Sequence, residues 1–159
     1  MRRLLQKRKT DRDGTTLVET AVVLPVFFTF IFAFIEFGHC FMTIHVMNSA
    51  ARRAARLGVA EGKDTDAVVD KAKGILKTAV DANHQNVKIW VKDGSIFDDP
   101  AVDAENINYD SLPDVELETH PSGSLYVVRV QVPYSEVGIL GPRWVTTLNL
   151  YGQSVMRKE

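Results

Sequence analysis

Cysteine is all but missing: Cys40 is the only one in 159 residues. No internal disulfide can form, so nothing in the chain rests on a cysteine framework. An excess of either charge is missing too, and a net charge of −1 expresses no preference between acidic and basic partners. Phenylalanine is scarce outside one stretch, since seven of the eight lie between Phe27 and Phe41. Catalytic signatures are lacking. Gly58-x-x-x-Gly62-Lys63-Asp64 is one residue short of a phosphate loop and carries Asp where Ser or Thr must hold magnesium. No nucleophile elbow or zinc-ligand spacing occurs, and His84 and His120 stand alone in the sequence. Glu36-x-x-His39 echoes part of a di-metal helix motif, but one copy without a second ligand helix is not a site. The chain therefore reads as no enzyme, with no cofactor and no metal.

What is present is strongly polarised along the chain. Residues 1–13 carry Arg2, Arg3, Lys7, Arg8, Lys9 and Arg12 against Asp11 and Asp13, a net of +4, so everything after them sums to −5. That acidic remainder speaks against nucleic-acid binding. From Thr20 to Ile35 run sixteen uncharged residues. At ~1.5 Å per residue this is slightly short for a ~30 Å hydrocarbon core. Continuing through Phe37, Gly38, Phe41 and Met42 makes it long enough, with Glu36 near the outer interface. The roughly 100 residues left over could not surround such an all-round apolar helix, so burial in a soluble core fails. The reading is one transmembrane helix over 15–42. More Lys and Arg lie before the run than just after it, where Arg52, Arg53 and Arg56 are nearest, so the N-terminus is expected in the cytoplasm. Secretory-signal cleavage fits poorly, because Glu19 opens the apolar run and no small-x-small site closes it.

Between the basic leader (1–14) and the apolar helix stands Gly14-Thr15-Thr16-Leu17-Val18-Glu19. A glycine and a glutamate five residues apart are common; the basic leader before them and the uninterrupted apolar stretch after them are not. This context resembles the processing site of type IV prepilins. Gly14…Val18-Glu19-Thr20-Ala21…Leu24-Pro25, then Glu36-Phe37-Gly38, then Ala50-Ala51-Arg52-Arg53-Ala54-Ala55-Arg56 resembles the TadE-like family of tight-adherence (Flp, type IVb) pilus pseudopilins. The likeness is densest over 12–57 and resumes at Ser154–Glu159. It implies cleavage between Gly14 and Thr15 by a prepilin peptidase, and docking of Glu19 onto the new amine of a neighbouring subunit. It also implies that Pro25 marks a place where the helix kinks or locally melts during assembly. On physical grounds alone, a carboxylate inside a membrane costs roughly 2.5–3.5 kcal/mol and usually serves a partner. Glu19 resting at headgroup level is the competing reading. Thr20 departs from the major pilins of this system, which carry an aromatic there, and that speaks against a main filament subunit.

The helix should run on over 43–58, with Gly58 as its stop. Ile44, Met47, Ala50, Ala51, Ala54 and Ala55 share one face, opposite Arg52, Arg53 and Arg56. The paired alanines permit close approach of the protein's own domain or of a second subunit. An α+β domain over 59–159 follows, expected to fold by itself from Asp64 onward. In it a helix over Asp64–Ala82, apolar at Val68, Val69, Ala72, Ile75, Leu76 and Ala79, packs on a three-stranded antiparallel, pilin-like sheet. The strands are expected at Val87–Lys92, Leu125–Val132 and about Trp144–Val155, with a loop at Gly138–Pro142. Residues 93–128 hold nine Asp/Glu and no Lys or Arg. Asp98, Asp99, Asp103 and Glu105 fit no calcium loop, and a mobile acidic loop is the expectation. Together these features predict a minor pilin-like subunit of the bacterial inner membrane. Its partners would be the prepilin peptidase, other pilin or pseudopilin subunits and the assembly machinery. An uncleaved single-pass scaffold or binding protein of the same machine is the alternative.

Overall fold

The computed structural model describes residues 10–60, 62–82, 85–103, 106–139 and 148–159. The basic leader up to residue 9, His84, Glu105 and residues 140–147, including Trp144 and most of the expected Gly138–Pro142 loop, lie outside that set. Two compact units make up the chain, the first ending at Gly38 and the second running from His39 to Glu159. Helix α1 (Thr10–Gly58) enters both.

In the first unit α1 is a bare helix. Its apolar side chains are exposed all round, among them Val22, Phe27, Phe30 and Phe34. Phe28 stacks on Phe32 one turn on, with ring centres 6.2 Å apart. Water would penalise this surface at roughly 25 cal/mol per Å², and hydrocarbon would not. The helix is long and apolar enough to cross a membrane. Pro25 lies within it and supplies no N–H to the carbonyl of Ala21, one turn back. One turn further on, the Thr29 hydroxyl donates to the Pro25 carbonyl at 2.8 Å.

The second unit is a helix layer on a sheet. Helix α2 (Thr65–Leu76) starts where Asp64 accepts a hydrogen bond from the Ala67 N–H at 2.9 Å, an N-cap that satisfies one of the first turn's orphan donors. It buries Val68, Ala72 and Leu76, four residues apart. The helix stops at Leu76 rather than at Ala82. Beyond it the Thr78 and Ala79 amides turn back three residues, to Ile75 and Leu76, and the Thr78 hydroxyl also donates to the Ile75 carbonyl. The chain tightens there, yet Val80 and Ala82 still reach the core, which is why the apolar rhythm outlasts the helix.

Strands β1 (Lys88–Asp93), β2 (Leu125–Pro133) and β3 (Asn149–Arg157) form an antiparallel sheet in the order β1-β2-β3. Alternation sorts them into two faces. Val91, Tyr126, Val128, Val130, Val132 and Leu150 join the helices in the core. Trp90, Arg129 and Gln153 form a cross-strand row on the other face. Central β2 is buried on both faces, from Tyr126 to Val130. Its outer face is covered by the acidic segment, whose described residues 98–103 and 106–114 include three carboxylates paired with the sheet. Each strand supplies it with one cation. Lys92 pairs with Asp114 at 3.0 Å, Arg129 with Asp110 at 3.1 Å and Arg157 with Asp98. The Arg129 guanidinium also lies over the rings of Tyr109 and Tyr151, 5.1 and 4.1 Å from their centres.

Candidate functional site

The residues singled out by the sequence fall into two groups, one in each unit. Gly14, Thr15, Glu19 and Pro25 sit on the bare part of α1, all exposed. Gly14 lies in the helix, four residues after its first, and a Cβ built on it meets nothing within 4 Å. A helical peptide bond must open before a protease can cut it. Here a glycine weakens the helix by about 1 kcal/mol relative to alanine. Thr15 and Glu19 are one turn apart on the same face. Glu19 forms no hydrogen bond or ion pair with any described residue.

The second group is the alanine face. Ala50, Ala51, Ala54 and Ala55 are each fully buried, together with Met47. Their small size lets α1 approach β3 closely, and Gly152 completes the fit. A Cβ on Gly152 would lie 2.6 Å from the Met47 carbonyl carbon and 2.8 Å from the Asn48 nitrogen. Beside this contact the Asn48 side-chain oxygen accepts the Gln153 N–H at 3.2 Å. The alanines thus pack on the protein's own sheet, one of the two neighbours that the sequence left open.

The end of α1 is fixed by groups that sequence reasoning passed over. The Tyr126 hydroxyl donates to the Ala55 carbonyl, one of the last four that a helix leaves unpaired. Burial pushes the Tyr126 phenol up to about 12. Gly58 ends the helix without a left-handed backbone. It is required instead for space, because a Cβ there would come within 2.8–3.0 Å of Leu117, Tyr126 and Val68. The signal for Gly152 was legible as an isolated glycine in a strand pattern. Tyr126 looked like any aromatic strand residue.

Elsewhere, no group of three or more His, Cys, Asp or Glu that could hold a metal ion occurs among the described residues. Asp99 accepts the Ala101 N–H and Asp103 the Asn106 amide, each within its own turn. His39 and His45 are helix residues of α1, and Glu36 is half-buried.

No curated protein and no solved structure matches this chain. The family model described as TadE-like protein matches residues 14–56. That stretch holds Gly14, Glu19, Pro25 and the alanine face, so α1 is similar to the TadE-like family over 14–56, which suggests a tight-adherence (Tad) pilus association; the likeness at Ser154–Glu159 lies outside the match.

Proposed function

We propose that the chain is a minor pilin-like (pseudopilin) subunit of a tight-adherence type IV pilus or a related secretion apparatus. It acts through subunit contacts rather than catalysis. It is held in the bacterial inner membrane by α1, with the leader cytoplasmic and the second unit outside. The observation that carries this reading is Glu19, an exposed carboxylate with no partner among the described residues, one turn above Thr15 on an apolar helix. A cut after Gly14 removes the basic leader and leaves an ammonium at Thr15. Each subunit then carries a cation and an anion one turn apart, and a neighbour shifted along the helix can neutralise both in surroundings where an unpaired charge is costly.

The test separates processing from docking. Gly14→Val fills open space and should leave the fold intact, but it hinders the scissile backbone and should leave the chain uncut. Glu19→Gln should be cut normally and assemble poorly, because an amide cannot neutralise the ammonium. Intact mass and N-terminal sequencing of protein from its own membranes report the first step, and incorporation into the apparatus the second. Mature protein beginning at Met1 would reject processing and leave the uncleaved scaffold as the better account. Full competence of Glu19→Gln would remove the charge-pairing step alone. Orientation has its own readout: a reporter active only outside the cytoplasm, fused after Glu159, should be active, and silence there would reverse the topology.

A further inference from the structure

The helix layer of the second unit carries a cleft that nothing above uses. It is lined by Ser49, Arg52, Arg53 and Arg56 of α1 and by Lys71 of α2. All four cations are exposed, and none pairs with a carboxylate of the described residues. Four like charges around one cleft repel each other, so an anionic occupant is favoured.

The chain's own acidic segment is poorly placed to fill it. The sheet has the alanines of α1 and Val68 and Ala72 of α2 against its inner face. The acidic segment sits against its outer face, held through Asp98, Asp110 and Asp114. Cleft and acidic segment therefore belong to opposite sides of the same unit. To reach its own cleft, the segment would have to give up all three ion pairs. It still presents Asp99 and Asp103 exposed at its surface.

We infer that the cleft docks the acidic outer face of a second copy of this chain, through Asp99 and Asp103. The two patches are different surfaces on opposite sides, so the contact is head-to-tail. It leaves a cleft open on one copy and an acidic face open on the other, which builds a row rather than a closed dimer. Lipid phosphate is the competing anion, and distance speaks against it. Met42 is still an exposed apolar residue of α1. Arg52 lies ten residues further on, about 15 Å along the helix axis, whereas the polar layer of one leaflet is only about 5–8 Å deep. The inference rests on the subunit reading above, but its test does not need cleavage at Gly14.

Full-length chains with and without uniform 15N label are mixed in zwitterionic lipid nanodiscs holding several copies, then coupled with a zero-length carbodiimide. An isotopically mixed link from Lys71 to Asp99 or Asp103 is expected, fading at high salt. Arg53→Glu with Arg56→Glu should cut its yield about tenfold or more, since like charges then face each other. Asp99→Lys with Asp103→Lys removes the coupling carboxylates, so for these copies the readout is co-purification of tagged and untagged chains. Each reversed variant alone should lose it, and mixing the two reversed variants should restore it. All these positions are exposed, and an unchanged melting temperature checks the fold of each variant. Links confined to one isotope, or indifferent to both reversals, would overturn the contact. So would a cleft whose reversal affects only binding to vesicles of anionic lipid. An uncut leader with mixed links intact would sink the processing step and leave this contact standing.

Discussion

Tyr126 shows what one side chain can contribute when it spans two elements. Its ring is fully buried in the core and its hydroxyl ends on the Ala55 carbonyl. Ionising the phenol would turn the donor into an anion facing a carbonyl oxygen in an apolar setting, which is why the folded state holds the proton up to about pH 12. An unfolded chain loses it near pH 10. Between those values the unfolded state binds fewer protons, so stability falls as pH rises. The contribution is complete below about pH 10 and is gone above about pH 12, with a size on the order of 2–3 kcal/mol. Other effects of high pH are common to both proteins, so the measurement must be a difference. Urea denaturation of the full chain in detergent should show wild type losing its margin over Tyr126→Phe across this window. Below the window the Phe variant should be less stable by about 1–2 kcal/mol, because the Ala55 carbonyl is left unpaired. A margin that stays constant through the window would show that the phenol does not control this titration.

Among the elements, α1 and β3 approach each other closely at Gly152. Gly152→Ala would push a methyl group against Met47 backbone atoms that cannot rotate away. The expected cost is about 1–3 kcal/mol, read as a lower urea midpoint with unchanged slope; a neutral substitution would show that the helix can move off the sheet. Helices and strands were largely legible in the sequence. The alanine face and the apolar stripe of α2 each bury one face and so carry a helical period, whereas β2, buried on both faces, showed as the near-continuous apolar run L-Y-V-V-R-V-Q-V. The end of α2 did not, since Val80 and Ala82 continue the apolar pattern through turns that are no longer helical. Nor did the acidic segment. Its order comes from Lys92, Arg129 and Arg157, each on a different strand, and pairings at that separation leave no local trace. At the candidate site Gly14, Thr15 and Glu19 were visible because their context is contiguous. The cleft was not, because Lys71 joins the arginines only once α2 has docked.

At the scale of the whole molecule, the second unit begins at His39. The sequence predicts that residues from Asp64 onward fold alone, yet Met47, Ala50, Ala51, Ala54 and Ala55 belong to the core. A fragment starting at Asp64 would expose the sheet face that these residues cover. It should show no cooperative urea transition, whereas a fragment starting at His39 should show one; a cooperative transition in the shorter piece would make the α1 contribution dispensable. The same arrangement has a consequence in time. Asn48 meets Gln153, 105 residues later, and the Val59 carbonyl accepts the Glu159 N–H. The parts that close the core thus leave the ribosome 105 residues apart and, on the proposed topology, cross the membrane in that order. Loop closure over such a distance is slow, and until β3 arrives the alanine face has only part of its sheet to cover it. For that interval the nascent chain is anchored but unfinished. A quality-control protease or a chaperone outside the membrane would meet it as an incompletely covered amphipathic helix, and only the passage of β3 would end that exposure.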